Sequence, residues 1–193
     1  MDHLRLFYIL KRTRLTDVAA PISADSGPAR LLSSFVSATV SFICPKWTYR
    51  YDQAGLVLCF TKTGVAPLPS GQPHRWLKTG VEFYLGRPQL STVACDSWAD
   101  WSVMPLPPNV GEGDTIEILV EREGPSMWVY YVPKDGGDKV PLREVTWVFG
   151  DADGEGDEWT VSVGQYVARP EKDVKTEGEE LVVEFGPLNI TWL

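Results

Sequence analysis

Residues Trp76-Leu77-Lys78-Thr79-Gly80-Val81-Glu82-Phe83-Tyr84-Leu85 carry the decisive pattern of the chain. Successive side chains of a β-strand point to opposite faces of a sheet. That alternation puts Leu77, Val81, Phe83 and Leu85 on one side and Trp76, Lys78, Glu82 and Tyr84, around Gly80, on the other. The first set suits the space between two packed sheets. The second is amphipathic, and two readings of it stand. In one, aromatic rings and a few polar groups line a ligand groove. In the other, Lys78 simply pairs with a carboxylate on an exposed sheet and nothing reacts.

Outward from this stretch, Val, Thr, Trp, Tyr and Phe gather in short segments separated by Gly, Pro and Asp. Strands are expected at residues 35–44, 55–61, 76–85, 90–95, 101–104, 115–123, 127–133, 142–149, 159–168 and 181–192. Between them lie GVAPLPSGQPH, MPLPPNVGEGD, PKDGGDK and GDADGEGDE, which have the composition of turns. Sustained 3.6-residue periodicity is nearly absent. The fold expected is all-β, an antiparallel two-sheet sandwich.

Composition narrows the function classes. The 193 residues hold 26 acids against 18 Lys and Arg, a net charge of -8, which argues against a phosphate-binding face and hence against nucleic acid as a partner. Eight Trp, seven Tyr and seven Phe stand beside only two His, favouring aromatic surfaces over histidine chemistry. A single domain over residues 1–193 is expected, with residues 1–30 as an amino-terminal extension. Apolar runs such as Leu6 to Leu10 and Ala54 to Phe60 fall far below the roughly 20 residues of a membrane span, so no membrane partner is expected. Lys11, Arg12 and Arg14 follow rather than precede the apolar start, unlike a secretory signal. Cys44, Cys59 and Cys95 lack metal-ligand spacing and read as reduced, buried thiols, consistent with a cytoplasmic location.

Further site candidates follow from the same alternation. Tyr51 and Gln53 lead into one strand; Trp98, Asp100 and Ser102 alternate with Trp101 and Val103; Gln165 alternates with Tyr166. If these segments pair in one sheet, Gln53, Lys78, Glu82, Asp100, Ser102 and Gln165 converge on a polar patch rimmed by Trp76, Tyr84 and Trp98.

YDQAGLVL at 51–58, WLKTGVEFYLGRPQLSTVACDSWADWSV at 76–103, REVTW at 143–147 and VGQYVARP at 163–170 resemble the regulation-of-enolase proteins. These form a domain family of unknown function within the concanavalin A-like lectin/glucanase superfamily, found in fungi and bacteria. The resemblance runs from about Leu31 to the carboxyl end and implies a jelly-roll sandwich, without implying a reaction. Family members carry an aspartate closely followed by a tryptophan near the amino end. Here that region reads LTDVAAPISADSGPA, with Asp17 but no Trp, so a groove wall supplied by that Trp would be missing or replaced.

The chemistry of the candidates points in two directions. A desolvated carboxylate in an aromatic groove rises toward neutrality while a neighbouring Lys keeps a second acid ionised, so Lys78, Glu82 and Asp100 are the candidate catalytic set. Asp151, Asp153, Glu155 and Asp157 alternate in a glycine-rich loop that could offer oxygens to Ca²⁺ or carboxylates to a glycosidase, but a solvated acidic turn accounts for them and no metal site is expected. His3 and His74 support no triad, and Ser102, lacking a nearby histidine base, reads as a hydrogen-bond donor. Three functions are carried forward. The first is binding of a small polyhydroxylated or aromatic ligand in an aromatic-lined concave groove by Tyr51, Gln53, Trp76, Tyr84, Trp98, Ser102 and Gln165. The second is a cofactor-independent dehydratase or cyclase using Lys78, Glu82 and Asp100. The third is a regulatory protein acting on a metabolic enzyme, with a protein partner or a homodimer.

Overall fold

The computed structural model describes residues 28–65, 73, 75–149, 158–170 and 181–193. Among these residues the regular structure is almost all strand, with a short 3-10 turn at Leu32–Ser34. The strands are β1 (Arg30–Leu31), β2 (Phe35–Ile43), β3 (Gln53–Lys62), β4 (Arg75–Tyr84), β5 (Arg87–Cys95), β6 (Ala99–Pro105), β7 (Thr115–Glu123), β8 (Ser126–Val132), β9 (Val140–Val145), β10 (Trp159–Ala168) and β11 (Asn189–Trp192). A six-stranded sheet has the order β1-β10-β3-β4-β5-β6 and a five-stranded sheet the order β11-β2-β7-β8-β9. Every pairing is antiparallel. The result is the expected two-sheet jelly-roll β-sandwich.

The core is filled by alternate residues from the facing sides of the two sheets. Leu56, Leu58 and Phe60 of β3, Leu77 and Val81 of β4, and Val161 and Val163 of β10 meet Phe35, Val40 and Phe42 of β2 and Ile116, Ile118 and Val120 of β7. Phe35, Phe42 and Phe60 are each at most 1% exposed, and burying each such ring stabilises the fold by about 1.5–3 kcal/mol. Thr79 and Thr92, also on the inner side, satisfy each other through a hydroxyl pair at 3.0 Å.

Turns between neighbouring strands obey the twist of the sheet. Leu85 and Gly86, both with positive φ (54° and 73°), join β4 to β5 with Tyr84 opposite Arg87. That is the two-residue loop whose handedness matches twisted hairpins. Leu85 leaves the sheet there, so its expected place in the inner set with Leu77 is not occupied; it is 74% exposed. Two expected strands are shorter in the structure. The 142–149 segment is strand only to Val145 and then turns, and the segment from 181 contributes one bridge, Phe185 to Phe42, before β11 begins at Asn189. Pro141 sits in β9, the edge of its sheet, where a missing N–H costs no ladder bond on the open side.

One knot fixes the approach to β3. Asp52 is fully buried and takes a bidentate bond from Arg169, Nε to Oδ1 and Nη2 to Oδ2, both 2.8 Å. Its Oδ2 also accepts from the backbone N–H groups of Thr48 and Tyr49. The Arg169 guanidinium lies 4.7 Å over the Tyr49 ring. This anchor orients Tyr51 and Gln53 on either side of it.

Candidate functional site

The site lies on the face of the six-stranded sheet turned away from its partner sheet. Registers place Tyr166, Gly55, Gly80, Ser91 and Val103 in one row across that face. One adjacent row holds Val57, Lys78, Val93 and Trp101, and the other holds Gln53, Glu82 and Gln89. The middle row has no side chain at its centre. A Cβ on Gly80 would lie 2.0 Å from the Ala54 carbonyl oxygen, and one on Gly55 would lie 2.1 Å from that of Thr79. Only glycine lets β3 and β4 approach this closely, and the consequence is a floor of bare backbone.

Around the floor stand polar groups that are buried although they point away from the core. Lys78, Glu82, Gln53, Gln89 and Ser91 are each at most 7% exposed. Lys78 and Gln53 start one row to either side of the glycines and meet above them, Nζ donating to Oε1 at 2.5 Å. That is the hydrogen bond of Lys78 among the described residues, and it goes to a neutral acceptor. Burial holds the amine below its ordinary pKa, and the charge of Glu82 opposes this only in part. Glu82 Oε2 accepts from Ser91 Oγ at 2.7 Å and from Trp101 Nε1 at 3.1 Å. Burial first, and then the Glu82 charge, push the Tyr166 hydroxyl well above its ordinary pKa, so it stays protonated. A buried amine, a hydrogen-bonded carboxylate and a protonated phenol thus share one small field, the set of groups that proton transfer requires.

An aromatic row continues from Glu82 to the rim. Trp101 meets Tyr84 edge-on at 4.9 Å, Tyr84 stacks on Tyr51 at 5.7 Å, and the Arg50 guanidinium lies 4.5 Å over Tyr51. Beyond it Arg50, Phe83, Tyr84, Leu85 and Gly86 line a hollow of about 270 Å³.

Of the residues singled out from the sequence, Lys78, Glu82, Gln53, Trp76, Tyr84 and Tyr51 belong to this face. Asp100, Ser102 and Gln165 do not, because each is one residue out of phase with it. Asp100 and Ser102 point toward the five-stranded sheet, where Arg143 of β9 binds both. Gln165 shares the side of Val163 and Val167 and donates to Gly186 O at 2.9 Å. Trp98 precedes β6, is 87% exposed, and lines a separate hollow of about 390 Å³ with Asp100, Arg143, Glu144 and Trp147. The residues that take these places are Trp101 and Tyr166, the alternate members of the same two strands, joined by Ser91 and Gln89 of β5. The signal for them was present, since choosing Trp101 over Trp98 and Tyr166 over Gln165 needed only the opposite phase. His3, His74, Asp17 and the acidic residues Asp151, Asp153, Glu155 and Asp157 lie outside the described residues. Cys44 and Cys59 are buried as expected, whereas Cys95 is only partly buried, at the end of β5. No helix among the described residues is long and apolar enough to cross a membrane.

Comparison with known proteins bears on the family and the fold. Residues 23–191 match the model of a family described as a protein of unknown function, DUF1349. An uncharacterized protein of Emericella nidulans is 42% identical over 171 residues, which cover 89% of this chain and 74% of that one. Among solved structures, a functionally unknown protein from Saccharomyces cerevisiae superposes with a TM-score of 0.55 at 18% identity, over 83% of this chain and 71% of that one. A mutant of the GH43 protein BlXynB from Bacillus licheniformis gives a TM-score of 0.53 at 15% identity, over 83% of this chain and 28% of that one. At such identities the two structures share the fold alone.

Proposed function

We infer that this chain, which belongs to the DUF1349 family of proteins of unknown function, binds a small polyhydroxylated ligand over the Gly55–Gly80 floor, between Lys78 and Glu82. The observation that carries the reading is the burial of both charged side chains on an outer sheet face without an ion pair between them. Burying an amine and a carboxylate is costly, and glycines inside strands weaken a sheet. A purely structural face gains nothing from that combination, whereas a ligand would satisfy the remaining donors and acceptors. Gln53, Gln89 and Ser91 suit hydroxyl groups, and the rings of Trp101, Tyr84 and Trp76 suit the C–H face of a sugar-like molecule.

Tryptophan fluorescence titrated with glucose, myo-inositol and glycerol tests this directly, because a ligand at Glu82 displaces the Trp101 hydrogen bond. A saturable change with at least one of the three is expected. Glu82→Gln should weaken it by about 1.5–3 kcal/mol, roughly 10- to 150-fold. A flat response to all three, or equal affinity in the variant, overturns the reading.

The buried amine beside Glu82 also favours a second reading, a cofactor-independent lyase or cyclase in which Lys78 and Glu82 move protons; Asp100, on the opposite side of its strand, has no part in it. This reading demands a product, which ligand binding alone does not.

A further inference from the structure

We propose that Lys78 captures the carbonyl of a small hydroxylated aldehyde or ketone as an imine, with Tyr166 holding the carbonyl oxygen and Glu82 relaying the proton. The proposal rests on the binding site inferred above and names its ligand class. Its first ground is the hydrogen bonding of Nζ. An ammonium has three N–H donors, and here one goes to Gln53 Oε1 while no carboxylate comes within ion-pair distance among the described residues. Leaving the other two buried and unmet is expensive. A neutral amine keeps the Gln53 bond and holds its lone pair ready, and burial favours that form.

The second ground is space and neighbours. The amine is suspended over Gly55 and Gly80, where no side chain rises from the floor. Tyr166 flanks Gly55 on the other side, and neither its hydroxyl nor Glu82 Oε1 has a hydrogen-bond partner among the described residues. Trp159 Nε1 is the fully enclosed, partnerless side-chain polar atom among those residues, so the Tyr166 and Glu82 oxygens border open space instead. A protonated phenol that can donate stands in the glycine row and a carboxylate oxygen that can accept in the row beyond it, with the amine in the row on the other side.

The step balances without an oxidant or reductant. The Nζ lone pair forms a C–N bond to the carbonyl carbon as the C=O π pair moves to oxygen, where Tyr166 donates a hydrogen bond. One N–H proton passes through Glu82 to that oxygen, giving a carbinolamine. Its hydroxyl then leaves with the second nitrogen proton as water, and C=N forms. Hydroxyl groups elsewhere on the molecule meet Gln89, Ser91 and Gln53.

The test is reductive trapping on the full chain. The protein is incubated with glycolaldehyde and sodium cyanoborohydride at pH 7, and lysine peptides are mapped by mass. A lowered pKa raises an amine's neutral fraction at pH 7, so Lys78 should label faster than the exposed Lys46 and Lys134. Tyr166→Phe should slow labelling of Lys78 and leave that of Lys46 unchanged, while Lys78→Arg should remove the fast adduct with the circular dichroism spectrum preserved. Labelling of Lys46 and Lys134 with Lys78 unmodified, or no difference in Tyr166→Phe, overturns the proposal. The fluorescence titration with myo-inositol, which has no carbonyl, separates the two readings. Saturable binding without fast labelling sinks capture and leaves the binding site standing; loss of both sinks both.

Discussion

Gly80→Ala measures how much of the fold depends on the bare floor beneath the site. The new Cβ would lie 2.0 Å from Ala54 O and 2.7 Å from the Gly55 Cα, where ordinary contact begins at 3.4 Å. The shortfalls, about 1.4 Å and about 0.7 Å, are both against backbone, so no side chain can swing aside and β3 and β4 must part locally. Two ladder hydrogen bonds lost at about 0.5–1.5 kcal/mol each, together with about 1–3 kcal/mol of overpacking strain, give a central expectation of about 4 kcal/mol. For a chain of this length that corresponds to a melting point lower by roughly 8–16 °C. Chemical and thermal denaturation followed by circular dichroism provide the assay. Gly111→Ala, where an added Cβ meets nothing within 4 Å, is the control and should stay within about 0.5 kcal/mol of the parent. Because either alanine alone already separates the strands, the Gly55→Ala, Gly80→Ala double variant should lose less than the two singles combined. A loss below about 1 kcal/mol for Gly80→Ala would refute the argument, since it would mean that β3 and β4 adjust freely at this point.

Two further outcomes follow from buried charge. Asp52→Ala strips Arg169 of its bidentate partner and should cost about 3–5 kcal/mol in denaturant melts, whereas Lys62→Ala, at the half-exposed pair with Glu158 (3.2 Å), should cost no more than about 1 kcal/mol; similar losses at the two would contradict the assignment of Asp52 as the anchor. Lys78→Met concerns pH. Burial lowers the Lys78 pKa in the folded protein below the 10.5 of the free side chain, so between those two values the unfolded chain binds the proton and the folded chain does not. Stability therefore rises with pH through that window, and Lys78 penalises folding most at the low end. The Met variant should be the more stable by about 1–4 kcal/mol at low pH, with the gap closing as pH approaches 10.5. Raised groups such as Tyr166 and Cys44 act in the opposite sense, losing stability as pH rises above their unfolded values, and cancel in the difference between the proteins. A gap that does not change with pH would count against a neutral buried amine.

Much of the architecture was legible because alternation is a local property. The amphipathic set of Trp76, Lys78, Glu82 and Tyr84 emerges from ten consecutive residues, and β7 and β10 fall where the β-rich runs begin and end. Phase was the harder question in strands whose two faces are both mixed. In residues 98–103 either Trp98, Asp100 and Ser102 or Trp101 and Val103 can be matched to the site, and in β10 either Gln165 or Tyr166 can. Arg143 on β9 decides the first by drawing Asp100 and Ser102 toward the other sheet, and the core positions of Val163 and Val167 decide the second.

The sequence by itself determined that this chain is a β-sandwich and that one strand bears Lys78 and Glu82 on a common face, since period-two patterning and turn chemistry act between residues close in the chain. Only the tertiary structure decided what surrounds them. The Gly55–Gly80 contact, the Lys78–Gln53 bond and the Trp101–Glu82 bond join residues 25, 25 and 19 positions apart, and the Asp52–Arg169 anchor spans 117. Those meetings depend on strand register, which is fixed when both sheets bury their apolar sides at once and is written in no single segment.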